Sequence, residues 1–138
     1  MTSFDSGTPV FKLCKKYPRH DPLSGPIVNI YLSAAEYELL AELPGSWLRK
    51  RRHHLLDPAS PWRVDLFEGA LAGLVVSEVE QTDLDALRAM AAPTWAVREI
   101  TADPFFAGDN LAALDSDALK VRLSAELART TRANGSTR

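Results

Sequence analysis

The charge of this sequence is gathered into blocks of one sign, and inside the blocks it alternates with the period of a β-strand. Lys12, Lys15, Lys16 and Arg19 stand near the N-terminus against Asp5 alone. Arg49, Lys50, Arg51 and Arg52 run consecutively into His53 and His54. From 57 to 80 the sign reverses, with Asp57, Asp65, Glu68, Glu78 and Glu80 against Arg63. Successive strand residues point to opposite faces, so a chain patterned this way predicts sheets that carry charge on one side.

Five strands follow from that parity. Val10–Tyr17 puts Phe11 and Leu13 on one face and Lys12, Cys14 and Lys16 on the other. The apolar, β-branched Ile27–Leu32 sets Val28, Ile30 and Leu32 opposite Asn29 and Tyr31. Pro18–Pro26 between them is rich in Pro, Gly, Asp and His, has no period, and reads as a loop. In Leu48–Leu56 the even positions Lys50, Arg52 and His54 share a face. Trp62, Val64 and Leu66 oppose Arg63, Asp65 and Phe67, and Val75 and Val79 oppose Glu78 and Glu80.

Three helices accompany the strands. Ser33-Ala-Ala-Glu36 is a capping box that opens a helix with an Ala35, Leu39, Leu40, Leu43 stripe, ended by Pro44-Gly45. A second starts near Thr82 with Leu84, Leu87 and Ala91 on one side. A third runs from about Asp115 to Ala128 with Leu119, Leu123 and Leu127 aligned. The amphipathic helices need an apolar surface and are expected on the greasy faces of the strands. The charged faces then look into water or into a barrel lumen, and the residue types favour the lumen. Lys12, Lys16, Lys50 and Arg52 suit phosphate oxygens, and Asp65, Glu78 and Glu80 suit a divalent cation.

Composition narrows the class. Sixteen Lys+Arg against eighteen Asp+Glu give a net charge of -2, which offers no support to a generally basic nucleic-acid binder and leaves local basic patches open; no nucleic-acid partner is expected. The lone Cys14 excludes an internal disulfide and a thiolate zinc site, and reads as a small filler. No apolar run approaches the roughly 20 residues that span a bilayer, and the N-terminus has no signal-peptide pattern. A cytoplasmic protein without a membrane role is expected. His53 and His54 are neighbours on a strand and point apart, so they cannot share one metal ion. Glu99 and Asp103 read as capping residues, and Trp47, Trp62 and Trp95 as packing under helices.

Several stretches together resemble the CYTH domain, the fold of the triphosphate tunnel metalloenzymes, which include class IV adenylyl cyclases and thiamine triphosphatases. They are Phe11-Lys-Leu-Cys-Lys-Lys-Tyr17, Ile30-Tyr-Leu-Ser-Ala-Ala-Glu-Tyr37, Trp62-Arg-Val-Asp-Leu-Phe-Glu-Gly69, Ala72-Gly-Leu-Val-Val-Ser-Glu-Val-Glu80 and the closing Arg98–Ala112. The likeness covers roughly 7–112 and implies an α+β fold: an antiparallel β tunnel with amphipathic helices packed outside. It implies triphosphate binding by Lys12, Lys16, Lys50 and Arg52, with Mg2+ or Mn2+ held by Glu78, Glu80 and Asp65. Asp65 serves equally well as a structural partner for Lys50 or Arg52.

The family's Glu-x-Glu-x-Lys strand and the Arg-rich strand after it have no counterpart here. The expectation is therefore a single partial domain over 1–128, incomplete at the N-terminus, with a disordered tail over 129–138. Metal-dependent hydrolysis of an inorganic or organic triphosphate is expected if the tunnel is complete. The alternatives are a non-catalytic polyanion-binding module and a truncated, inactive fragment. Unpaired sheet edges in a half-tunnel favour a homodimer.

Overall fold

A computed structural model describes residues 2–5, 8–17, 21, 23–57 and 59–135. The chain is α+β and divides into two compact units, Met1–Gly45 and Ser46–Arg138. All strand pairings are antiparallel, and the described strands form two three-stranded sheets. A closed tunnel is not what these strands form.

In the first unit β1 (Thr2–Asp5), β2 (Thr8–Lys16) and β3 (Ile27–Leu32) lie in that order. β1 has no alternating signal of its own and escapes a reading by parity; its pairing with β2 defines it. Opposed residues of an antiparallel pair share a face. Lys12 opposes Tyr31, Cys14 opposes Asn29 and Lys16 opposes Ile27, so the polar face of β2 continues onto β3. Parts of the expected 18–26 loop, at 18–20 and 22, fall outside the described residues.

Helix α1 (Ala34–Ala41) follows at once, and both arms of the expected capping box are made. Glu36 N donates to Ser33 Oγ, and Ser33 N donates to Glu36 at 2.7 Å. Those bonds hold the Glu36 carboxyl below its usual range. The leucine stripe is not buried: Leu39, Leu40 and Leu43 are exposed. Tyr37 supplies the contact instead, its ring 4.7 Å from that of Phe11.

The second unit holds β4 (Lys50–His54), β5 (Arg63–Phe67) and β6 (Val75–Glu78), with β5 in the middle. The β5–β6 connection is a 3₁₀ turn at Gly69–Leu71, flanked by positive φ at Gly69 (64°) and Gly73 (100°). Such angles strain any residue with a Cβ. They let the connection fold back so that Leu71 and Leu74 both enter the core. Helix α2 (Leu84–Ala89) begins close to the expected start near Thr82 and is capped by Asp83. A 3₁₀ turn at Pro104–Phe106, α3 (Gly108–Ala112) and α4 (Ser116–Gly135) complete the chain. α4 thus runs on past Ala128 into the expected tail, whose last residues, 136–138, are not among those described.

The core is Phe67, Leu71, Leu74, Leu111 and Leu119, joined by Leu48, Val76, Phe105, Phe106, Leu114 and Leu123. In the second unit this corrects the expectation about which sheet face the helices cover. Register places Phe67 and Val76 on the face of Lys50, Arg52, Asp65 and Glu78, while Leu66 and Val75 on the greasy face are exposed. The physical reason lies along the strand. One face of β5 reads Arg63, Asp65, Phe67, polar at one end and apolar at the other, and the core forms on the apolar end. Parity treats a face as uniform and misses this gradient.

Two further expectations are corrected. Trp47 and Trp95 are exposed rather than packed under helices; Trp95 meets Trp62 edge-on with centroids 6.5 Å apart. On α4 the inward face is Leu119, Leu123 and Glu126, with Leu127 exposed. At 100° per residue, position i+7 returns to the starting face, whereas i+8 has turned well off it.

Candidate functional site

The site grows from the middle strand of the second sheet. Arg52 on β4 lies directly opposite Asp65 on β5, and Lys50 lies opposite Phe67 on the same face. Asp65 is flanked by a strand on each side and by Phe67 and Val76, and its exposure is 0%. An ionised carboxylate in such a position is stable only with partners. It has three bonds: Arg52 Nε donates to Oδ1 at 2.7 Å, Arg52 Nη2 to Oδ2 at 2.8 Å, and Lys50 Nζ to Oδ2 at 2.5 Å. Burial works to raise the Asp65 carboxyl, but hydrogen bonding, from Arg52 first and then from Glu78 and Lys50, outweighs it and holds the group well below the usual carboxylate range. The same contact, foremost, pushes the Arg52 guanidinium up.

A second carboxylate closes the figure. Glu78 on β6 accepts from Lys50 Nζ at 3.0 Å through Oε1 and meets Arg52 Nη2 at 2.6 Å through Oε2. Lys50, Asp65, Arg52 and Glu78 therefore form a closed ring of two cations and two carboxylates. Three members reach solvent, with side chains 31%, 34% and 35% exposed for Lys50, Arg52 and Glu78. Lys50 also lies 5.8 Å from the centre of the Phe67 ring, which ties its stem to the edge of the core.

Four of the seven residues expected at a site are thus brought together: Lys50, Arg52, Asp65 and Glu78. Glu80 stands apart from the ring, its carboxylate 3.4 Å from Arg63, a residue the sequence did not single out. Lys12 and Lys16 belong to the first unit, where both share a face of β2 and Lys12 lies over the Tyr31 ring at 5.6 Å. His54 is on the ring's face, opposite Arg63, and His53 is on the other, opposite Val64.

The donor set expected for a divalent cation does not fit one as arranged. Both oxygens of Asp65 and both of Glu78 are already engaged by Lys50 and Arg52, and Glu80 leans on Arg63. Among the described residues no group of three or more His, Cys, Asp or Glu is placed to hold a metal ion. What the ring offers is a two-point cationic clamp, one ammonium and one guanidinium, set at fixed spacing by a buried carboxylate.

A second charged constellation lies beside α4. Arg98 meets Asp103 at 3.0 Å and Glu126 at 2.5 Å; Arg122 meets the same two carboxylates at 2.5 and 2.7 Å. Asp103 also accepts from Phe105 N at 3.1 Å, the capping role expected of it. The Arg122 guanidinium lies 4.6 Å from the Phe105 ring centre and 5.6 Å from that of Phe106. Hydrogen bonds from Arg98 and Arg122 hold the Glu126 carboxyl below its usual range. Arg98, Arg122 and Glu126 were not predicted. The available signal was the i, i+4 pairing of Arg122 with Glu126 on α4.

The chain is 36% identical over 74 residues to a protein of Acetivibrio thermocellus named inorganic triphosphatase. That likeness takes in 54% of this chain and 45% of the other, so the chain spans less than half the length of this curated relative. No protein-family model matches the chain, and no solved structure does. Among the described residues no helix is long and apolar enough to cross a membrane.

Proposed function

We propose that this chain binds a triphosphate through Lys50 and Arg52 and belongs to a CYTH-type, triphosphate-hydrolysing protein. The observation that carries the reading is the pair of cations on adjacent even positions of β4, fixed by the fully buried Asp65 and each about one-third exposed to solvent. The likeness to a protein named inorganic triphosphatase supports it. A triphosphate spreads several negative charges over non-bridging oxygens, and its hydrolysis requires those charges to be held and neutralised. An ammonium and a guanidinium at set spacing do this for two oxygens. The phosphate-binding roles of Lys12 and Lys16, and the part played by Mg2+ or Mn2+, enter the reading through the sequence resemblance alone.

Phosphate release from tripolyphosphate, followed with malachite green with and without Mg2+ or Mn2+, tests the proposal. Release that falls at least tenfold in Lys50→Ala and Arg52→Ala supports hydrolysis. Binding without release would favour the second reading, a non-catalytic polyanion-binding module. The engagement of all four oxygens of Asp65 and Glu78 by cations is the observation on that side. Failure of the wild-type chain to bind tripolyphosphate at all would overturn both readings. A homodimer formed through the outer strands of the two sheets is part of the proposal, and light scattering reads it directly.

A further inference from the structure

We infer that Glu78 is an internal occupant of the anion site: its carboxylate fills the place on Lys50 and Arg52 that a phosphate takes, and binding proceeds by its displacement. The inference rests on the anion-binding reading above and deepens it.

Register gives the first argument. Glu78 lies directly opposite Arg63, and Asp65 lies opposite Val76. The near partner for Glu78 across the strand pair is therefore Arg63. Yet Glu78 reaches past β5 to the two cations of β4, and Arg63 takes Glu80 instead. The reach has the form of a ligand contact. One oxygen goes to the ammonium and the other to the guanidinium, at 3.0 and 2.6 Å, as two oxygens of one phosphate would.

Exposure gives the second. The two carboxylates of the ring each bridge both cations and are not equivalent. Asp65 is fully buried, bonded three times, and cannot leave without stranding a charge in the sheet. Glu78 is 35% exposed, on the last residue of an outer strand, and can swing into water at little cost. Asp65 is thus a positioning residue and Glu78 a competitor. An incoming oxyanion with two free non-bridging oxygens exchanges places with it, and the cations never face the solvent unneutralised.

Titration calorimetry of tripolyphosphate in metal-free buffer tests this on the full chain, with Glu78→Gln, Glu78→Ala and Glu80→Gln. Removing any carboxylate near the site favours a polyanion through long-range charge alone, and Glu80→Gln measures that effect. The expected result is that Glu78→Gln tightens binding about 3- to 5-fold, the upper part of the range of one exposed ion pair, while Glu80→Gln changes it less than about twofold. Equal effects of the two Gln variants, or weaker binding in Glu78→Gln, would overturn the inference and leave the binding reading standing. No binding by the wild type and by every variant would overturn the binding reading, and the inference with it. Both Glu78 variants failing to fold, by circular dichroism, would also overturn the inference, because a displaceable carboxylate must be dispensable to the fold.

Discussion

The second unit contains two rings of the same composition, each with two cations and two carboxylates, and they are built for different purposes. The ring on the sheet joins Lys50, Asp65, Arg52 and Glu78; the ring beside α4 joins Arg98, Asp103, Arg122 and Glu126. On the sheet one carboxylate is sunk and the other open. Beside α4 both are sunk, with Asp103 14% and Glu126 8% exposed. Asp103 doubles there as a cap, and Arg122 is stacked on two phenylalanines. A locked ring fastens α4 to the 98–106 segment, whereas a ring with one free side can exchange a member for a ligand. Charge type does not separate a fastening from a site; the freedom of one member to leave does.

The largest effect should come from the buried member of the open ring. Asp65→Asn removes the charge that balances Lys50 and Arg52 from within and is expected to cost about 3 kcal/mol of unfolding free energy, the scale of breaking a buried pair. Urea unfolding measures it. A loss as small as that of an exposed pair, under about 1 kcal/mol, would mean that Glu78 alone can hold both cations and would erase the distinction between the two sides.

Next in size is the locked ring. Arg122→Ala takes a shared partner from Asp103 and Glu126 and the guanidinium from the Phe105 and Phe106 faces, and about 2 kcal/mol should be lost. Arg122→Lys keeps the charge but not the planar fork, so it should recover well under half of that loss. Full recovery would show that this ring works by charge alone, like a solvated pair, and would weaken the contrast with the sheet.

Acid should separate the rings from the rest of the surface. Asp65 and Glu126 are both held below their ordinary range in the folded protein. A depressed carboxyl contributes stability that is complete above its unfolded value, about 4, and is lost as pH falls toward the folded value. The melting temperature is therefore expected to be flat from neutral pH to about 5 and to fall steeply below about 4. Asp65→Asn should make that fall shallower. An unchanged slope in the variant would show that Asp65 is not a source of the acid sensitivity.

The sheet ring was largely legible in the sequence, and the helix ring was not. Parity marks one charged face on each strand, with Lys50 and Arg52 on one, Asp65 on the next and Glu78 on the third, because strands have a period of two. Parity does not give register, so it could not say that Arg52 would lie opposite Asp65 or that Glu78 would choose β4 over Arg63. The resemblance placed Glu80 with Glu78 and Asp65 in a metal site, whereas Arg63 draws Glu80 away from them. The helix ring joins residues of an irregular segment to a helix, and no period connects those. On α4 the leucine spacing points to Leu127, whereas the buried position one residue earlier is a glutamate held by two arginines.

The smallest expected effect is at Glu78. If Glu78 is the removable member, Glu78→Gln should change unfolding free energy by less than about 1 kcal/mol, as for any half-exposed pair. The amide keeps one oxygen for Lys50 or Arg52, and Asp65 still holds both cations from below. The equivalent change on the locked ring, Glu126→Gln, should lower the melting temperature visibly more, since Arg98 and Arg122 both converge on Glu126 Oε1. Melting curves of the two variants side by side decide the point. Equal shifts would mean that the sheet ring is a second fastening, and its opening to solvent would then need a different explanation from ligand exchange.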